Sequence, residues 1–168
     1  WSIQTSASNG TATASGTGSP KAIGYTPSQN FNGSDSFVVK VDDGNGLSDS
    51  ITVNVVIAPQ NDAPIVSDQT LSTSEEIALT ITLTGTDADG DSLTYSIVSQ
   101  PSNGELSGEA PNLTYTPNDD YAGEDSFTFK ANDSTIDSNI GSINITVSNE
   151  NDAPIVSDQT LSTSEEIA

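Results

Sequence analysis

The sequence predicts an all-β chain of tandem Greek-key β-sandwiches, with about seven short strands in each complete repeat. Three observations carry this. Residues 61–78 read NDAPIVSDQTLSTSEEIA, and residues 151–168 return the same letters 90 positions later. Apolar side chains recur at every second position in several short runs, the period of a strand with one face in a core and one in water. Gly, Asn, Asp, Ser and Pro fill the gaps between the runs, as turns require.

The repeat sets the frame. Tyr25-Thr26-Pro27 returns as Tyr115-Thr116-Pro117, Asp35-Ser36-Phe37 as Asp125-Ser126-Phe127 and Lys40 as Lys130, each shifted by 90. Trp1-Ser2-Ile3 and Asn9-Gly10 return as Tyr95-Ser96-Ile97 and Asn103-Gly104, shifted by 94. The first copy therefore carries four extra residues within 11–24, an Ala, Gly, Ser and Thr-rich stretch that reads as an elongated hairpin loop. A period near 90 is too long for a solenoid turn and suits tandem small domains. The chain divides into residues 1–60, the C-terminal portion of a repeat; 61–150, a complete repeat; and 151–168, the N-terminal strand of the next. Opening at Trp1 without Met, it reads as an excised piece of a longer chain whose targeting signal lies out of view. Residues 1–60, without their first two strands, are expected to be less stable than 61–150.

Each strand follows from its alternation. Ile51, Val53, Val55 and Ile57 give the last strand of the first copy. In the complete repeat, Ile77, Leu79, Ile81 and Leu83 alternate with Ala78, Thr80, Thr82 and Thr84, and Leu93, Tyr95 and Ile97 with Thr94 and Ser96. Phe127, Phe129 and Ala131, then Ile143, Ile145 and Val147, supply the last two. Thr on the wet face suits a pleated surface. Pro101-Ser102-Asn103-Gly104 and Asp43-Gly44-Asn45-Gly46 read as turns. Asp35 and Asp125 are expected to bond their own turn backbone ahead of a strand. The aromatics pair between copies, Trp1 with Tyr95, Tyr25 with Tyr115, Phe31 with Tyr121 and Phe37 with Phe127. That recurrence assigns them to the core, with Tyr121 and Phe31, in a turn, as the candidate exceptions.

Composition closes several functions. With 24 acidic groups, three Lys and no Arg, the net charge is −21, so no nucleic acid and no anionic membrane surface is expected as a partner. Without His or Cys there is no thiol nucleophile, disulfide, zinc site or imidazole base. No apolar run approaches the roughly eighteen residues of a membrane span, so no direct membrane insertion is expected.

Three acidic clusters remain. Asp87-Ala88-Asp89-Gly90-Asp91 fills the turn between the strand ending at Leu83 and that starting at Leu93. Carboxylates at alternate positions of a tight turn can converge on a hard cation; a polar turn closed by an Asx bond, with nothing bound, is the other reading. An EF-hand is excluded, since position six of such a loop would be Ser92 and position twelve Val98. Asn61-Asp62-Ala63-Pro64, repeated as Asn151-Asp152-Ala153-Pro154, reads as a stiff connector because Pro holds its predecessor extended. Glu75-Glu76 recurs at Glu165-Glu166, and a Glu pair at a strand start is ordinarily solvated. In a sandwich whose first strand leaves the connector, the 87–91 turn and the last turn, holding Asp133, should lie at the connector's end. Asn61, Asp62, Asp87, Asp89 and Asp133 could then share a site. Three Lys cannot neutralise such a gathering, and Ca2+, tolerant in coordination, is the economical counter-ion.

These motifs resemble the bacterial cadherin-like tandem repeats of large surface adhesins. The matching pieces are the NDAP connector, Thr86-Asp87-Ala88-Asp89 followed by Asp91-Ser92-Leu93-Thr94-Tyr95, the YTP…GxDSF segment at 115–127, and Asp42-Asp43-Gly44-Asn45-Gly46, similar to the family's closing DG turn. The resemblance covers the whole chain. It implies a cadherin-like (immunoglobulin-like) sandwich with Ca2+ between successive units. Asn61 and Asp62 are then connector ligands, Asp87 and Asp89 (with Asp91 in the same loop) the pair of the following unit, and Asp133 their partner, as Asp43 is in the first copy. Glu76 or Glu75 and the 118–120 turn would face the next junction at Asn151 and Asp152. The connector has Ala63 where cadherins usually carry Asn, and Ser134 replaces the Gly beside Asp43, so fewer ions per junction are expected.

The function expected is a calcium-binding structural repeat of a secreted or cell-surface, bacterial adhesin, with neighbouring repeats of the same chain as partners and a surface protein or polysaccharide beyond them. The alternative is a carbohydrate-binding module of a microbial surface or polysaccharide-degrading protein, which needs an exposed aromatic platform. No enzyme is expected: acid–base work on glycosides needs one carboxyl in an apolar pocket, and these lie in polar turns.

Overall fold

The computed structural model describes residues 1–17, 21–154 and 156–165. Some of the 11–24 loop and of the 151–168 segment, Glu166 included, thus lies outside the described residues. The strands in chain order are β1 (Ser2–Thr5), β2 (Gly10–Thr13), β3 (Gly24–Pro27), β4 (Gly33–Asp42), β5 (Ser48–Ile57), β6 (Ile65–Val66), β7 (Gln69–Ser74), β8 (Leu79–Thr82), β9 (Gly85–Thr86), β10 (Thr94–Ser99), β11 (Gly104–Glu109), β12 (Asn112–Pro117), β13 (Gly123–Asn132) and β14 (Gly141–Ser148). The fold is all-β, as the alternation requires, and residues 61–150 hold seven strands of four or more residues plus the short β6–β9 pair.

Packing groups the chain into two compact units. One comprises residues 1–66, 84–95 and 130–139, the other 67–83, 96–129 and 140–168. In the first, β4 lies between β1 and β5, and β2 pairs with β3 as the hairpin that carries the long loop. Its core is Phe37, Val39 and Ala14, covered by half-buried Trp1, Ile3, Tyr25, Val53 and Val55. Tyr25 stacks on Phe37 at 6.0 Å between ring centres. In the second, β12 is flanked by β11 and β8, while β14 pairs antiparallel with β13 and parallel with β7. Its centre is Tyr115, Phe127, Phe129, Ile143 and Ile145, all fully buried, with Ile81, Leu83, Leu113 and Val147 around them.

The two copies keep one register. Phe37 faces Val53 across β4–β5 as Phe127 faces Ile143 across β13–β14, and Asp35 faces Val55 as Asp125 faces Ile145. Cover differs. Ile143, Ile145 and Val147 are buried, whereas Val53, Val55 and Ile57 are only half-buried and Ile51 is 51 % exposed. The inward row expected at Ile51 is thus open at that residue. Among the described residues no strand stands beside β5 as β7 stands beside β14. Backbone amides of β4 and β5 are therefore expected to exchange hydrogen at least about ten-fold faster than those of β13 and β14; equal protection would contradict the difference in cover.

Ile77 is a second departure. Its phase matches the strand that follows, yet it is 59 % exposed. The reason is local: Glu76 adopts φ 62° in a turn closed by Ile77 N donating to Ser74 O at 3.2 Å, so the strand begins only at Leu79.

Candidate metal centre

The Asp-rich loop follows β9. Asp87 Oδ1 accepts the backbone N–H of Asp89 at 2.9 Å and of Asp91 at 3.2 Å, an Asx-type closure, and Gly90 supplies the left-handed residue at φ 81°. One oxygen from each of Asp87, Asp89 and Asp91 lies within 4.8 Å of the others. The remaining Asp87 oxygen, Oδ2, is buried and, among the described residues, has no hydrogen-bond partner. Buried carboxylate oxygens are ordinarily paired, so this loop presents acceptor capacity that no group among the described residues uses.

Two contacts tie the connector to this end. Asp62 N donates to Asp89 Oδ2 at 2.8 Å, and Asn61 Nδ2 donates to Asp133 Oδ2 at 2.7 Å. Asp133 is 3 % exposed, and its Oδ1 accepts Thr135 N and Ile136 N, each at 2.7 Å. The Asn61 amide, with the backbone donors of Ile136 and Thr135, holds this carboxyl below the usual aspartate range. Asp133 thus anchors the connector through Asn61 while capping its own turn. Asp62 is half-buried and lines a cleft with Asn30, Phe31, Ile57 and Gln60. Asn61, Asp62, Asp87, Asp89, Asp91 and Asp133 are all residues of the first unit. Asp43 belongs to neither carboxylate group: its Oδ1 accepts Asn45 N and Leu47 N within its own exposed turn.

A second group lies within the other unit, where Glu76, Asp120 and Asp152 bring carboxylate oxygens within 4.8 Å, all three exposed. Glu76 and Asp120 both have left-handed backbones, at φ 62° and 56°. Glu75 takes a different role. It is 4 % exposed, and its Oε1 accepts Asn149 Nδ2 at 2.5 Å and Glu150 N at 2.6 Å, fastening the chain as it leaves β14. Asn151 is exposed, its amide donating to Asp152 O at 3.3 Å.

The sequence reading missed a buried network. Asp125, expected to bond only its own turn, does accept Ser126 N at 2.8 Å. It also accepts Ser102 N and Asn103 N at 2.9 Å and the Tyr115 hydroxyl at 2.8 Å. Asp35 repeats this with Ser36 N, Ser8 N, Asn9 N and the Tyr25 hydroxyl. Burial pushes the Asp125 carboxyl up, and the four hydrogen bonds outweigh it and hold the group below its ordinary value; burial, then Asp125, push the Tyr115 hydroxyl up. The signal was present: Tyr and Asp ten residues apart, with an Asn-Gly turn, in both copies.

Compared with known families, the profile of the bacterial Ig domain matches residues 1–56 and again 61–146. The chain belongs to the bacterial Ig domain family. No curated protein matches this bacterial Ig chain. Among solved structures it is similar to an endo-fucoidan hydrolase from glycoside hydrolase family 107, at 24% identity and TM-score 0.41, over 88% of this chain and 24% of that one. It is also similar to InvD of Yersinia pseudotuberculosis, at 19% identity and TM-score 0.33, over 93% of this chain and 50% of that one. The bacterial Ig chain thus spans about a quarter of the hydrolase and half of InvD.

Proposed function

We propose that this bacterial Ig chain is a calcium-braced structural repeat of a secreted or cell-surface adhesin, cadherin-like in placing the ion where one repeat meets the next. The observation that carries the reading is Asp87 Oδ2, buried and, among the described residues, unpartnered inside a loop of three convergent carboxylates. An anionic oxygen removed from water calls for a cation, and only three Lys serve a net charge of −21. Lys40 and Lys130 are engaged with Asp42 and Asp137.

The donors fit a hard divalent ion. Asp87, Asp89 and Asp91 offer carboxylates, and the connector is tied to them by Asp62 N donating to Asp89; all three donors are oxygen, the set Ca2+ takes with water completing six to eight ligands. When bound, the ion supplies positive charge that offsets their mutual repulsion. Asn61 and Asp133 position the connector beside the loop. Glu76, Asp120 and Asp152 bring a different set of carboxylates, with Asp152 as the repeat equivalent of Asp62, to the following junction. The partners on this reading are neighbouring repeats, with a surface protein or polysaccharide engaged elsewhere in the adhesin.

The reading assigns no catalysis, because its carboxylates lie in polar turns rather than in an apolar pocket of the kind that raises an acid's pKa. A carbohydrate-binding role has less support: all nine aromatic side chains are at least half-buried, and the Tyr121 hydroxyl donates to Glu124 O at 2.6 Å.

Calorimetric titration of the 168-residue chain with Ca2+ is expected to show saturable uptake with Kd of roughly 10⁻⁴ to 10⁻³ M. At a hundred-fold excess over Kd the bound ion stabilises by about 2.7 kcal/mol, read as a rise in Tm that chelator reverses. Asp87→Asn and Asp89→Asn should each remove uptake at the 87–91 loop and the part of the Tm rise that comes from it. A chain that takes up no Ca2+ and melts identically in chelator would sink the proposal.

A further inference from the structure

We propose that Asn45 is a site of spontaneous covalent modification, losing its side-chain amide to attack by Gly46 and ending as aspartate and isoaspartate. The chemistry needs an asparagine whose side-chain carbonyl carbon can meet the backbone nitrogen of the next residue. Glycine, without a side chain, leaves that approach clear. The chain has four Asn-Gly pairs, at 9–10, 32–33, 45–46 and 103–104.

The fold treats the four differently. Asn103 is held on both sides: its N–H donates to Asp125 Oδ2 at 2.9 Å, and its carbonyl accepts Asn118 N at 2.9 Å and the Tyr115 hydroxyl at 3.4 Å. Asn9 repeats this with Asp35 Oδ2 at 2.8 Å, Ser28 N at 2.8 Å and the Tyr25 hydroxyl at 3.3 Å. Gly33 is the first residue of β4 and stands in its ladder opposite Ile57. Asn45 and Gly46 instead lie in the exposed turn between β4 and β5. Gly46 has φ 100° and nothing within 4 Å of where its Cβ would stand. The Asn45 side-chain amide donates to Asp43 O at 3.4 Å, the long end of a hydrogen bond, and can turn away from it. Residues 134–137, the same turn in the complete repeat, are exposed with the connector of that repeat in place. Exposure therefore belongs to the turn itself. Thr135 and Ile136 stand there for Asn45 and Gly46, so the reactive pair is confined to the first copy's turn.

Water is the sole co-reactant. Gly46 N forms a bond to Asn45 Cγ and gives up its proton, the Cγ–Nδ2 bond breaks, and Nδ2 leaves as ammonia, closing a cyclic imide. Water then opens the imide at either carbonyl. Breaking the Cγ–N bond gives aspartate, and breaking the bond from the α-carbonyl to nitrogen gives isoaspartate. Either product adds a carboxylate to a turn that already holds Asp42, Asp43 and Asp49, with Lys40 paired to Asp42. Isoaspartate also adds a methylene to the main chain between Asp43 and Leu47. Those two residues close the turn, Asp43 N donating to Leu47 O and Leu47 N to Asp43 Oδ1, each at 3.0 Å. The modification thus loosens the tip of the β4–β5 hairpin.

The test is incubation of the 168-residue chain in mildly alkaline buffer, with peptide mass mapping over time. In the folded chain Asn45 is expected to convert at least about ten-fold faster than Asn9, Asn32 or Asn103, which react only through local opening. In denaturant the four pairs should convert at similar rates. Gly46→Ala, which sets a methyl beside the attacking nitrogen, should slow conversion at Asn45 by a comparable factor. Equal rates at the four pairs in the folded chain overturn the proposal. So does an Asn45 that keeps its amide while the denatured chain converts, or a Gly46→Ala chain that converts as fast as the unmodified one.

Discussion

Replacing Asp125 by Ala is expected to destabilise the complete repeat by about 3 kcal/mol, because one change strands the Tyr115 hydroxyl and the backbone N–H groups of Ser102 and Asn103. For a domain of this size that is about 15 °C of Tm. Tyr115→Phe removes a single donor and should cost about 1 kcal/mol. The effect also carries a pH signature. The folded Asp125 carboxyl is held below its ordinary value, so its contribution is complete above the unfolded pKa of about 3.9 and is lost as pH falls through the lower folded value. The stability difference between wild type and Asp125→Asn should therefore shrink on acidification from about pH 5 to about pH 2.5. A difference that stays flat over that range would mean that shape, not charge, is what Asp125 provides.

Gly104→Ala should be comparably severe. A methyl at Gly104 would run into the Tyr115 ring and meet Thr116 O at 2.7 Å. Tyr115 is fully buried and tied to Asp125, and Thr116 O is backbone, so neither neighbour can move aside. Overpacking of this kind costs about 3 kcal/mol. Gly44→Ala is the control: nothing lies within 4 Å of its added methyl, but φ is 77°, so only backbone strain of about 1 kcal/mol is expected. Thermal melts of the two variants side by side check the order, and a Gly104→Ala chain as stable as Gly44→Ala would show that the Tyr115 contact yields.

Much of the core was legible because alternation and burial are one physical fact. Phe127, Phe129, Ile143, Ile145 and Val147 alternate in sequence and are buried in the fold. Alternation fails where one residue's backbone decides the outcome. Glu76 has nothing in its chemistry that announces a left-handed φ, so Ile77 reads as inward and lies outside. The parallel pairing of β7 is hidden because its only large apolar residue is Leu71. At the candidate site, the spacing of Asp87, Asp89 and Asp91 foretells convergence, since a tight turn brings alternate carboxylates together. Which oxygen is left over is not legible, because that depends on how the amides of Asp89 and Asp91 share Asp87 Oδ1. Asp125 escapes a local reading because its partners lie 10 to 23 residues away, outside any single turn.

The ladder between β7 and β14 has a mechanical consequence. These are the first long strand and the last strand of the complete repeat, and they run side by side in the same direction over six residue pairs. Tension on the chain before Gln69 and after Ser148 therefore drags them past each other along their length. Every rung resists such sliding together, whereas an antiparallel closure of the same two ends would open rung by rung, like a zip.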